Sequence, residues 1–456
     1  MSKDNTNDKP LIKKKKSKAE LFFTDKDFFV ILSDQQRKYF ALEPINAQWE
    51  KQTFYSVIHN AYRRTVIFFR GNVVVKVIHE EYRVGEESTY YLIKYGEYDT
   101  YLNTENKTVL LPLTEKGKEK TLTASNVMSI TPFGFEFFIE IFRNQCRIYA
   151  GKPRNNQEIS IGEEDRISNI KTNEDFQEFM KYYIETCPDN YFEQLDEINK
   201  IEHQTVKFGA GDIFRCQIDR NNYVYGIIIG KTREIEKWPD FPEFHSFHGL
   251  MGQPIIIRMY DFVTKDKNVT IDELKDKRLL SPQVCEDNEI IWGTYKIVAH
   301  KSLEPDDIQF ILHITKTTAY NEEYERCLRE IMEGKRDKLP AHIKLQKVLS
   351  IEWGFSSIEI PWERVPEDIQ HMMKDNNYSH GGTRLGISTA CCGKTYDEIL
   401  EKKYENIQYD LLVPENLDQY NHVMKFLGLP ENCTIDDFVT KYNGISRAEY
   451  IRRVEK

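Results

Sequence analysis

Three places in the chain combine residue types that could do chemistry. His245 and His248 stand three apart and could begin a metal site. A closed site needs a third and usually a fourth ligand. Asp240, Glu243, Cys285 and His300 are the candidates, and none stands at a recognisable ligand spacing. The surrounding segment is dense in Trp, Phe, Pro and Gly, which suits an ordered surface loop first and a partner-binding loop second. Its candidate contact residues are Trp238, Phe241, Phe244, His245, Phe247 and His248. The vicinal thiols Cys391 and Cys392 would need a base to act as nucleophiles, and His380 is near them in sequence alone. Inert thiols are the alternative reading, since an adjacent pair strains a disulfide. Residues 386–395 are glycine-rich and end in Gly393-Lys394-Thr395. A phosphate-binding loop requires a glycine where Ser388 stands, and a strand leading in, which the polar run before it does not supply. None of the three is a complete constellation. The expectation is a protein that is not an enzyme and carries no cofactor and no metal.

The elements that must position any site come from a chain of 456 residues, 40% hydrophobic and 12% aromatic. That length exceeds one ordinary core and implies several domains. The formal charge is −10, from 63 basic and 73 acidic residues. A polyanion-binding protein usually has a basic field, so nucleic acid is disfavoured. Arg37–Phe40 and Ala61–Arg70 mix bases with aromatics that could stack on nucleobases, but aromatics on strands also build cores. Eight cysteines are scattered with no CxxC pair, which reads as reduced thiols in the cytoplasm. No window reaches the ~18 apolar residues of a membrane span, and the first residues lack the apolar core of a signal peptide. The run Lys13–Lys16 could touch acidic lipid or nucleic acid, or be a solvated tail.

Patterning divides the chain into five parts. Residues 1–19 read as a disordered basic tail, 20–165 as a β-rich N-terminal domain, 166–202 as a helical connector, 203–318 as a central β-rich domain, and 319–456 as a mixed, finally helical region. In the N-terminal part, Gly71-Asn72 between two β-branched runs is a hairpin signal. Further reversals are expected near Gly96 and Arg143-Asn144. Several hairpins in succession suggest a sandwich or barrel. Thr172 with Asp175 opens a helix whose apolar face runs through Phe176, Phe179, Met180 and Tyr183, then Phe192, Leu195 and Ile198. Late capping boxes begin at Thr434 and Ser446. The class is α+β and multidomain, with a small barrel or half-barrel at the centre.

That central segment is the most patterned part of the chain. Gly211-Asp212 opens an apolar strand through Phe214. Asp219–Asn222 turns it, and Tyr223-Val224-Tyr225-Gly226 begins the return. Apolar residues on both faces of the second strand imply burial on both sides. Gly226 within it implies a bend or a close backbone approach. Asp212 is expected to organise the opening turn. Downstream stand Met259-Tyr260-Asp261, Trp292, Lys296-Ile297 and Leu303-Glu304.

In order and approximate spacing these pieces resemble the immunity protein 26 family of bacterial polymorphic-toxin systems, over residues 203–317. Two departures stand out. Met259 occupies an aromatic position, and the loop Thr232–Pro254 is longer than the family pattern. The resemblance implies Gly211, Asp212, Phe214, Tyr223, Tyr225, Gly226, Tyr260, Asp261, Trp292, Lys296 and Glu304 as scaffold-marking residues. It implies a cytoplasmic antitoxin that binds and neutralises a cognate protein toxin stoichiometrically, without catalysis. A basic toxin fits the acidic balance, as do other partners; no membrane is implied. The family is also labelled phosphotriesterase-like. Such hydrolases use two metals, whereas none of the eleven histidines here falls in His-x-His. The alternatives are a non-catalytic adaptor in a bacterial defence or regulatory system, and an enzyme using His245/His248 or Cys391/Cys392.

Overall fold

The structure is a computed structural model. It describes residues 16–71, 73–84, 90–100, 109–110, 115–118, 122–123, 127, 134–143, 145–202, 205–242, 245–319, 322–338, 340, 346–374, 377–380, 382–383, 411–412 and 414–455. Cys391, Cys392, the stretch 386–395, Phe244 and most of the basic tail lie outside them. The chain divides into two compact units, Met1–His203 and Gln204–Lys456, and its class is α+β, as the patterning implied.

The first unit is built on an eight-stranded antiparallel sheet: β1 (Glu50–Ile58), β2 (Ala61–Arg70), β3 (Val73–Val84), β4 (Tyr90–Asp99), β5 (Val109–Leu110), β6 (Glu136–Phe142), β7 (Gln145–Lys152) and β8 (Gln157–Glu158). They run as a meander, with β5 added on β3. Among the described residues the expected sandwich or barrel is therefore a single sheet, with helices packed on one face. Strands β2 and β3 pair as the hairpin expected at Gly71-Asn72, with Gly71 at φ 64°; Asn72 lies outside the described residues. Arg143, in the turn joining β6 to β7, also has positive φ, 48°. The reversal expected at Gly96 is absent. Gly96 lies in mid-strand between His79 and Phe138. A Cβ there would overlap the His79 ring, so this glycine serves close approach and not a turn.

Helices α1 (Asn173–Glu185) and α2 (Tyr191–Lys200) bury their apolar stripe on that sheet. The capping box of Thr172 and Asp175 forms. Phe176, Phe179, Met180 and Tyr183 join Tyr95, Phe137 and Ile139 in one core. Tyr191 Oη donates to Tyr39 O at 2.6 Å and lies 2.9 Å from Tyr183 Oη. Phe192, expected on the apolar face, is 48% exposed, because the stripe that meets the sheet runs through Tyr191 and Leu195.

Among the described residues the second unit holds two sheets. The larger contains β9 (Asp212–Gln217), β10 (Tyr223–Lys231), β11 (Ile255–Thr264), β12 (Gln283–Cys285), β13 (Lys296–His300) and β18 (Gly382–Thr383), in the order β13-β9-β10-β11-β12-β18. The smaller contains β14 (Leu312–Ala319), β15 (Gln346–Trp353), β16 (Ser356–Pro361) and β17 (Tyr378–His380), in the order β16-β15-β14-β17. Helices α3 (Glu322–Met332), α4 (Leu417–Phe426), α5 (Ile435–Tyr442) and α6 (Arg447–Val454) complete it.

Strand β10 is the axis of this unit. Its residues from Tyr223 to Gly230 are all buried. Tyr225, Ile227 and Ile229 face a core shared with β14, β15 and the C-terminal helices. Val224 and Ile228 face a second core with Phe214, Met259 and Cys285. The helices are thus not an appendage: Tyr450 of α6 donates to Ile229 O at 3.2 Å, and Tyr420, Phe438 and Tyr450 fill the shared core.

Candidate functional site

The Gly-Asp opening is a backbone staple. Gly211 has φ +87°, a region that side chains rarely adopt, and a Cβ there would overlap Lys301 O. Its N–H donates to Ile228 O at 2.8 Å, and its carbonyl accepts from Lys301 N at 2.9 Å. Asp212 Oδ2 accepts from Gly209 N at 2.7 Å, while Oδ1 meets His300 Nδ1 at 2.8 Å. One carboxylate therefore ties the turn to β13. Both its oxygens are engaged, which suits the turn-forming role better than a free catalytic base.

The remaining marker residues lie in turns, strands and the connections between them. Asp219 Oδ1 accepts from Asn221 N and Asn222 N at 2.6 and 2.8 Å, which closes the β9–β10 turn. Tyr225 Oη donates to Asp266 O at 3.1 Å. At Gly226 a Cβ would overlap Phe214 Cζ and stand 2.7 Å from Met259 Sδ. The unusual Met259 and the glycine opposite thus share one packing contact. Tyr260 is buried, and Asp261 pairs with Arg278 at 2.8 Å. Trp292 is half-buried after the short helix Asn288–Ile291, and Lys296 pairs in register with Arg215. Glu304 is exposed, its N–H donating to Asp307 Oδ2 at 2.9 Å.

Trp238, Phe241 and Phe247 of the aromatic loop turn their rings inward. Trp238 packs edge-on to Phe355 and Tyr450, with ring centroids 5.9 and 5.6 Å away. Phe241 and Phe247 join the same cluster. His245 is buried. Its Nδ1 accepts from Phe247 N at 3.2 Å and its Nε2 donates to Gly354 O at 2.9 Å, with Glu352 at 3.3 Å. This pairing selects the neutral Nε2–H tautomer, and burial lowers the imidazole pKa accordingly. His248 is exposed beside Pro242 O. The loop's outward face carries Glu234, Lys237, Asp240 and His248. Among the described residues no group of three or more His, Cys, Asp or Glu is placed to hold a metal ion. No helix among them is long and apolar enough to cross a membrane.

Two buried charge systems escape a reading by spacing. Arg258, in the apolar run of β11, donates to Leu279 O, Leu280 O, Asp306 O, Asp307 O and Gln309 Oε1, at 2.8 to 3.1 Å. It staples two connections to the central sheet, and burial lowers its pKa to about 10. In the first unit, Lys76 is fully buried between Glu97 at 2.7 Å and Asp99 at 2.8 Å. Arg37 also grips Glu97, at 2.7 Å, and Tyr95 Oη donates to it at 3.0 Å. Burial alone would raise the Glu97 carboxyl, but Lys76 and Arg37 hold it below the ordinary value. Burial pushes Asp99 up to about 6 despite Lys76. The alternation Lys76, Glu80 on β3 and Tyr95, Glu97, Asp99 on β4 is the signal that could have revealed this, since period-two spacing puts them on one face.

Residues 209–323 match the family model described as Immunity protein 26. The matched span holds β9 to β14 and every marker residue named above. No curated protein and no solved structure matches the chain.

Proposed function

We propose that this protein is an immunity protein that neutralises a cognate toxin by stoichiometric binding, without catalysis, in the cytoplasm of a bacterium. The observation that carries the reading is the match over residues 209–323. The geometry supports it: the matched residues with chemical potential, Asp212, Tyr225, Asp261 and Arg258, are consumed in turns, staples and ion pairs. What remains is a rigid scaffold whose outward surface is free to meet a partner, and rigidity lowers the cost of association.

Co-expression tests it. The toxin encoded beside this gene should be non-lethal when the two are produced together and should co-purify with the chain at a fixed ratio. Killing that continues despite co-expression, with no complex recovered, refutes the reading. A second reading, a binding adaptor in a defence or regulatory system, is favoured by one observation: the first unit has its own core and lies wholly outside the matched span. A complex formed by the first unit's partner in the absence of any toxin would favour it.

A further inference from the structure

The second unit carries a concave surface, partly within the matched span and partly just before it, whose charge opposes that of the chain. A cleft of about 490 Å³ is lined by Thr205–Phe208, Lys231, Arg233, Glu234, Lys237, Gln253, Pro254, Asp287 and Ile291. Three lysines, Lys207, Lys231 and Lys237, and Arg233, which is paired with Glu236, line it beside two carboxylates, in a protein of net charge −10. Among the described residues neither Lys207 nor Lys237 meets a carboxylate at ion-pair distance, and both are exposed. Lys231 lies over the Phe208 ring at 4.6 Å and 3.5 Å from Glu234.

The wall is pre-formed. Thr232 ties the base of the long loop shut through Pro254 O, with its N–H at 3.0 Å and its hydroxyl at 2.9 Å. Arg233 is committed to that loop: it grips Glu236 with Nη1 at 2.9 Å, and donates to Gly252 O and Leu250 O. The base of the Thr232–Pro254 loop is therefore a braced shoulder that presents Lys237 to the cleft. The rings of Trp238, Phe241 and Phe247, packed on Phe355, hold it.

We infer that this cleft docks an acidic segment of the partner protein, whose carboxylates meet Lys207, Lys231 and Lys237 while an apolar side chain rests on Phe208, Pro254 and Ile291. The inference rests on the immunity reading. The mixed lining favours a polypeptide over a polyphosphate. Glu234 and Asp287 repel phosphate and carboxylate alike, but a peptide also brings N–H donors for them to accept, which a polyphosphate lacks. The acidity of the whole chain does not conflict with this, because screening over about 8 Å at physiological salt makes the cleft's field local. The segment would be an acidic stretch on a partner that is otherwise neutral or basic.

The test has two arms. In the first, a fluorescein-labelled octaglutamate peptide is titrated against the full chain by polarisation, with octalysine as control. Octaglutamate should bind and weaken with salt, octalysine should not, and Lys207→Glu/Lys237→Glu should bind octaglutamate about tenfold more weakly with an unchanged melt. Equal binding by the variant overturns the inference, as does displacement of the peptide by equimolar pyrophosphate, which would mark a small-anion site. In the second arm, the same variant is tested for complex formation with the toxin encoded beside the gene. Weaker complex formation supports the inference. An undiminished complex removes the cleft from the interface and leaves the immunity reading standing. If the wild-type chain binds no toxin, the immunity reading fails and the peptide arm alone judges the cleft.

Discussion

Gly226→Ala is a direct test of whether the marker residues are framework. The added Cβ would overlap Phe214 Cζ and stand 2.7 Å from Met259 Sδ and from Phe214 Cε1. Phe214 is fully buried and Met259 is 1% exposed, so neither has an open direction in which to retreat. Gly226 is in register with Phe214 on one side and Met259 on the other, so backbone movement would have to carry three strands. Overpacking of this kind costs about 1–3 kcal/mol. For a unit of this size that is a fall in Tm of about 2–12 °C. The matched control is Gly209→Ala, where nothing lies within 4 Å of the new Cβ and the N–H to Asp212 is kept. Its effect should stay within about 0.5 kcal/mol. Calorimetry and circular dichroism melts of both variants give the comparison, and octaglutamate titration below the transition should be unchanged in each. If Gly226→Ala melts with Gly209→Ala, the close-packing account of this strand is wrong.

Two predictions concern the first unit. Lys76→Met should destabilise it by about 3–5 kcal/mol in urea unfolding, because Glu97 and Asp99 then face each other across a dry site. Adding Asp99→Asn should recover part of the loss, since Arg37 still pairs with Glu97; an equal loss in single and double variants would contradict the pairing. His79 is held neutral by burial and by nearby Lys94, with its pKa lowered to about 4 from 6.5. A base with a depressed folded pKa stabilises fully above its unfolded value, and this stability is lost as pH falls from about 6.5 to 4. The loss is about 3 kcal/mol at the lower end. Asp99, with its raised pKa, acts in the opposite sense, gaining stability as pH falls from about 6 towards 4. The His79 effect is therefore read as the difference between the wild-type and His79→Gln stability curves, and parallel curves would exclude it.

Sequence alone determined the local grammar. The Gly71-Asn72 hairpin, the Thr172 capping box, the Asp219–Asn222 turn and the two-faced burial of Tyr223–Ile229 were legible, because each depends on a few adjacent residues and their own backbone preferences. The marker pattern of the central segment was legible for the same reason. Gly96 was misread as a turn because a glycine that admits a neighbouring ring and one that reverses the chain look alike until the neighbour is known. Ring density alone does not say which way the rings of Trp238, Phe241 and Phe247 point; for Trp238 that direction is decided by Phe355 and Tyr450, more than a hundred residues downstream. The partnering of Lys76, Glu97 and Asp99, the five-acceptor seat of Arg258 and the gathering of Lys207, Lys231 and Lys237 around one cleft all join residues that are distant in the chain. Such juxtapositions are set by strand register and by the packing of β10 between two cores, and those are properties of the whole unit.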